Sequence, residues 1–119
     1  MMRKVVLYES AAGEVPVEAF LKDLPTKQQQ KIVWGLKILE DGFPLKEPYF
    51  KKIQGHAELW ELRVTFGGNA FRIYFFELTA LVMMALCGHQ KKNDREQKRE
   101  IETAVLYMKD AKERPYEVT

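Results

Sequence analysis

Glu61, Arg63, Arg72 and Tyr74 are the residues of this chain best placed by type and spacing to handle an anion. Read with the strand period of two, residues 58–66 and 69–77 form a hairpin with two distinct faces. Trp60, Leu62 and Val64 share one face with Phe71, Ile73 and Phe75. Glu61, Arg63, Arg72 and Tyr74 share the other. Arginine is seldom set in the middle of a sheet without a partner, so two of them on one face predict a visiting anion. The plainer alternative is pairing of each arginine with Glu61, which contributes only ~0.2–1 kcal/mol for a cross-strand pair.

Further cations flank this pair. Lys51 and Lys52 precede the hairpin, and Lys91 and Lys92 follow the last predicted strand. His89 stands two residues before the lysine pair, and its ordinary pKa lies close to neutral pH. Either lysine of that pair could serve as an acid or base, or simply as part of a solvated turn. Tyr74 offers a ring for stacking and a hydroxyl for orienting a phosphate, or else ordinary half-buried packing. The spacing of His56, Cys87 and His89 is not that of a metal site, so no metal and no other cofactor are expected.

The elements that must hold these residues follow from periodicity. Residues 4–9 are a β-branched run and a predicted first strand. Pro16 opens a predicted helix carrying Val17, Phe20, Leu21 and Leu24, which Pro25 ends. Thr26 with Gln29 has the pattern of a capping box for a second helix. That helix sets Ile32, Val33, Leu36 and Leu39 on one stripe and stops at Gly42, with Pro44 beyond. The period then changes. Residues 50–53, 58–66, 69–77 and 80–89 read as strands, with turns at Gly55, Gly67-Gly68 and Leu78-Thr79. Asn93 or Asp94 caps a last helix with Ile101, Ala104, Val105 and Met108 on its buried stripe, and a frayed tail is expected from Glu113. Helices on one face of the sheet should leave the charged face open.

Bulk properties narrow the class. The 119 residues suit a single domain spanning 1–119, and the net charge of +2 with a pI near 8.6 is only mildly basic. One cysteine excludes an internal disulfide and fits a reducing compartment. The apolar run from Leu78 to Cys87 is about half the ~20 residues of a membrane helix, and the N-terminus has no signal-peptide core. A cytoplasmic protein without membrane association is expected.

The ordered set Lys52-Ile53, Leu59-Trp60-Glu61-Leu62-Arg63, Phe71-Arg72-Ile73-Tyr74, Leu86-Cys87-Gly88-His89-Gln90-Lys91-Lys92 and Glu100-Ile101-Glu102-Thr103-Ala104 resembles the HigB-type branch of the RelE/ParE toxin superfamily. The resemblance covers nearly the whole chain. It departs from the family pattern at His89, where an aromatic residue is usual, and at Asn93-Asp94-Arg95-Glu96, which replaces a threonine-proline. It implies an α+β, RelE-like fold, an antiparallel-rich sheet with an N-terminal helical hairpin and a C-terminal helix. It also implies the toxin of a type II toxin–antitoxin pair, a metal-independent endoribonuclease that cuts mRNA on the ribosome. A helix-turn-helix, HigA-like antitoxin would be its partner, and operator DNA would be met only through that antitoxin. By this resemblance Arg63 and Arg72 fork around a phosphate, with Lys91, His89 and Glu61 in the catalytic group. Lys51, Lys52, Tyr74 and Lys92 would then contact RNA. The same superfamily holds gyrase poisons, and a relic that only binds its antitoxin is a third possibility, so fold alone does not choose the target.

Overall fold

The computed structural model describes residues 3–41 and 47–114. Five strands form one sheet, and helices pack on both of its faces. In chain order the elements are β1 (Lys4–Leu7), α1 (Pro16–Lys22), α2 (Thr26–Glu40), β2 (Phe50–Lys52), β3 (Trp60–Phe66), β4 (Asn69–Thr79), β5 (Val82–Gln90) and α3 (Asp94–Glu113). The sheet order is β1-β5-β4-β3-β2. β1 joins β5 in parallel, and every other pairing is antiparallel.

The first core layer is the one expected from the alternation. Leu62, Val64, Phe71, Ile73 and Phe75 pack with Val17, Ile32 and Leu39 from α1 and α2. The hairpin between β3 and β4 closes on Gly67 and Gly68, both with positive φ, which is the backbone that matches strand twist in a two-residue turn.

The second face is not open, which corrects the expectation of a one-sided sheet. Tyr74, Phe76, Met84, Leu86 and Cys87 form a second apolar layer, and Ala104 and Ala111 of α3 sit against it. The reason lies in β4 and β5, where residues 71–76 and 82–87 are buried without a break. Unbroken burial belongs to strands covered on both sides. α3 is pinned at its far end by the Tyr8 hydroxyl, which donates to Asp110 at 2.5 Å, and by stacking of Tyr8 on Tyr107.

Several local expectations also shift. Pro25 takes the N-cap position of α2, so Thr26 makes no capping bond, and the Gln29 amide instead donates to the Leu24 carbonyl at 2.8 Å. Val33 points outward at 53% exposure, while Gly35 faces the core against Leu62 and Val64. β4 runs on to Thr79, so the turn falls at Ala80-Leu81 rather than Leu78-Thr79. α3 is capped by Asn93, whose side chain accepts from the Glu96 amide at 2.9 Å, and it continues through Glu113 rather than fraying there. Gly42 and Pro44, expected to stop α2, lie outside the described residues, as does the end of the predicted tail.

One close approach is built into β5. A Cβ on Gly88 would stand 2.4 Å from Ile73 Cδ1 and 3.0 Å from the Arg72 carbonyl oxygen. The carbonyl belongs to a paired strand and has no room to yield. Gly88→Ala is therefore expected to cost ~1–3 kcal/mol, the usual range for overpacking. Urea unfolding should show a lower midpoint at unchanged slope, and an unaltered midpoint would refute the tight contact.

Candidate active site

Strand register collects the predicted residues into transverse rows. Arg63 on β3 pairs with Arg72 on β4, which pairs with His89 on β5. The row beside it is Glu61, Tyr74 and Cys87. On the other side, the Lys91 amide donates to the Ala70 carbonyl at 2.8 Å and carries the pairing past the end of β5.

His89 reaches this face through an irregularity. Tyr74 pairs with Cys87 but Phe75 with Ala85, so Leu86 is an extra residue in β5. Leu86 and Cys87 both join the α3 layer. Strict alternation from Met83 and Ala85 in the first core would have sent His89 to that same core. The bulge reverses the sense of the strand and brings the imidazole beside Tyr74. The two rings stack at 5.6 Å, and the Tyr74 hydroxyl and His89 Nε2 share a hydrogen bond of 2.9 Å.

Glu61 organises the centre. It is only 1% exposed. Arg63 Nε donates to its Oε1 at 2.8 Å, and Gln97 Nε2 from the first turns of α3 donates to its Oε2 at 3.2 Å. Arg72 Nε lies 3.8 Å from the same Oε2, beyond hydrogen-bond range. Arg72 Nη1 donates to the Phe71 carbonyl at 3.1 Å, and Nε is buried with no hydrogen-bond partner. The pairing of both arginines with Glu61 is thus present, and it leaves one donor of Arg72 unused.

Protonation follows from burial. His89 is held below its ordinary value by desolvation first and by Arg72 second, so the ring is neutral at pH 7. Desolvation, with Glu61 adding to it, lifts the Tyr74 phenol well above its usual range and keeps it protonated. Desolvation also lowers Arg72, against the opposing pull of Glu61.

The other expected residues divide. Lys91 is half-buried at the edge of the site, with Nζ 3.9 Å from Asp94, and Lys92 is exposed beside it. Lys51 pairs with Glu61 in register and shares its face, but Lys52 pairs with Trp60 and points to the opposite face, its ammonium 5.8 Å from the indole ring. Tyr74 is fully buried, so its ring is not open to a stacking base, and its hydroxyl meets His89 instead. Arg72, at 9% exposure, is not the surface residue the alternation implied, because α3 closes over that face. Gln97 was missed. Its signal was faint: a polar residue one turn into an amphipathic helix reads as solvated until the sheet beneath it is known.

Two outcomes follow. Glu61→Ala would leave Arg72 buried without its counter-charge, so a loss of ~3–5 kcal/mol is expected by chemical denaturation. A change within the ±0.5 kcal/mol of surface sites would contradict the arrangement. The second concerns pH. Unfolded, His89 takes up a proton near pH 6.5; folded, it does so only at lower pH. Stability is therefore flat in this group above about pH 6.5 and falls as pH drops below it. The slope is a fraction of the ~1.4 kcal/mol per pH unit that complete exclusion would give, since the ring is partly in solvent. Between pH 7.5 and 5.5 the melting temperature of His89→Gln should fall less than that of the wild type. Equal falls would place the titration elsewhere.

The family model described as phage derived protein Gp49-like (DUF891) matches residues 19–109, a span that holds every residue of the site. No curated protein matched the chain.

Proposed function

The chain belongs to the Gp49-like family of phage-derived proteins, a RelE/toxin-type family of toxin–antitoxin systems, and we propose that it is a HigB-like toxin that cuts mRNA on the ribosome. The observation that carries this reading is the row Arg63–Arg72–His89, with one buried guanidinium nitrogen unused and a neutral imidazole beside it.

RNA contains its own nucleophile, the 2′-hydroxyl. Its oxygen attacks the adjacent phosphorus, the bond to the next nucleotide's 5′-oxygen breaks, and a 2′,3′-cyclic phosphate and a 5′-hydroxyl result. The reaction asks for a proton acceptor, a proton donor and positive charge around the phosphate. His89, kept neutral, accepts the proton of the 2′-hydroxyl. Lys91, next along the same edge, supplies one to the leaving oxygen. Arg63 and Arg72 meet the charge that builds on the phosphate, and Arg72 Nε is a donor free to turn to it. Glu61 fixes Arg63, and Tyr74 fixes the imidazole. Lys51 and Lys92 contact the RNA backbone on either side. No metal enters the scheme. The partner is a helix-turn-helix antitoxin of HigA type, and burial well over ~1,000 Å² is expected in a stable complex with it.

The test is to add purified protein to translating ribosomes and map mRNA ends. Arg72→Met keeps volume, and Glu61 retains its bonds from Arg63 and Gln97, so the fold should survive, while cleavage falls ~10²–10³-fold with the lost donor. His89→Gln keeps a hydrogen-bonding partner for Tyr74 and should lose ~10²–10⁴-fold. Chelation by EDTA, with magnesium sufficient for the ribosome, should leave the wild type active. Variants that fold and cut at the wild-type rate would end the scheme. Growth arrest with intact mRNA would point to a protein target such as gyrase.

A further inference from the structure

We propose that the groove between α2 and the β3 edge is a second nucleic-acid subsite, which seats a base and a phosphate of single-stranded RNA next to the cleavage site. It deepens the reading of the chain as an RNA-cutting toxin and rests on that reading for its ligand.

β2 is only three residues long, so among the described residues the far half of β3 has no strand beside it there. An open groove of about 460 Å³ lies along this edge, within the ~300–1,000 Å³ of small-ligand sites. Lys31 and Trp34 of α2 and Tyr49 ahead of β2 form its walls, and Arg63 and Arg72 reach it from the site side.

Its composition is that of a stacking platform with a charged rim. Trp34 and Tyr49 are 39% and 42% exposed, although neither ring is needed to fill the core. They meet edge to face at 5.5 Å, which holds both rings in place. Lys31 Nζ sits 3.9 Å from the centre of the Trp34 ring, so a cation is fixed against the aromatic wall. Aromatic faces interleaved with cations are how sequence-tolerant proteins hold single strands: bases stack and phosphates pair. Two carboxylates meet these arginines among the described residues: Glu61, buried and already bonded to Arg63, and Glu47, 3.7 Å from Arg63 Nη1 with its side chain largely in solvent. An exposed pair of that kind contributes little and yields readily to a phosphate.

Continuity with the catalytic row is the second argument. Arg63 and Arg72 belong to both, so a strand passing over them has one phosphate at the row and its neighbour toward Lys31. The charge balance still favours RNA over a protein helix, since Lys31, Arg63 and Arg72 outnumber Glu47 and Glu61 and no carboxylate lines the groove among the described residues.

Binding of a fluorescein-labelled 12-nucleotide 2′-O-methyl RNA, which cannot be cut, tests the inference by anisotropy at low salt. Trp34→Ala and Tyr49→Ala should each weaken binding at least about five-fold, the low end of single-base stacking. Lys31→Ala should weaken it and flatten its salt dependence. Lys109→Ala, on the exposed face of α3, is the control and should bind as the wild type does. Circular dichroism and melting temperature establish that the variants are folded. Wild-type-like binding by both aromatic variants overturns the subsite, as does a wild type that does not bind the oligonucleotide. Loss of antitoxin binding with RNA binding intact also overturns it and makes the groove a protein-docking surface. Ribosome cleavage by the wild type is scored separately. Oligonucleotide binding that depends on Trp34 without any mRNA cleavage keeps the subsite and fails the catalytic reading. Cleavage with an indifferent groove does the reverse.

Discussion

A carboxylate taken out of water must be met by positive charge or by hydrogen bonds, and Glu61 is the group around which this fold satisfies that demand. It sits on β3, receives Arg63 from its own strand, faces Arg72 from β4, and takes an amide from Gln97 of α3. One anion thereby ties the central hairpin to the helix that closes over it. The same anion holds two cations side by side, which would otherwise repel each other on neighbouring strands. Glu61 therefore adds a polar link between the hairpin and α3 to the apolar packing that sets the register.

The bulge at Leu86 is the second constraint, and it acts on geometry rather than charge. Before it, β5 sends Met83 and Ala85 to the α1/α2 side; after it, Gly88 faces that side and His89 faces Arg72. Gly88 completes the device. A side chain there would press on Ile73 and on the Arg72 backbone, so the strand could not lie close enough to bring the imidazole onto Tyr74. Two neighbouring features of β5, one extra residue and one missing side chain, decide whether an imidazole stands beside Arg72.

These constraints explain what could be read in the sequence and what could not. The hairpin was legible because Leu62, Val64, Phe71, Ile73 and Phe75 alternate cleanly and Gly67-Gly68 permits a tight turn. The grouping of Glu61, Arg63, Arg72 and Tyr74 came from the same alternation. Their burial did not. Charged residues on a strand look solvated until it is known where an amphipathic helix such as α3 will lie, and its landing place is a long-range choice. The unbroken apolar stretch 82–87, with Ile73, Tyr74, Phe75 and Phe76 in succession on β4, was the available sign that both faces would be covered. Gly35 marks the opposite limit: with no side chain it carries no hydropathy signal, yet it lets α2 approach Leu62 and Val64, and Val33 is turned outward.

Burial also changes how the arginines must be understood. An arginine on an open surface keeps its hydration and gains little from meeting a phosphate. Arg72 has already lost most of its water, has Glu61 only at 3.8 Å, and has one donor with no partner. A buried unsatisfied donor costs ~1–3 kcal/mol, which the resting fold must carry. In the reading proposed above, an anion at the strand edge that takes up this nitrogen would recover the cost. Arg63 differs: it is half-buried and already bonded to Glu61 at 2.8 Å, so its position is fixed within the fold. One guanidinium is thus bonded to Glu61 while its neighbour keeps one donor without a partner. In the reading proposed above, that asymmetry favours the most highly charged form of the phosphate, because only there is the unpaired donor fully used.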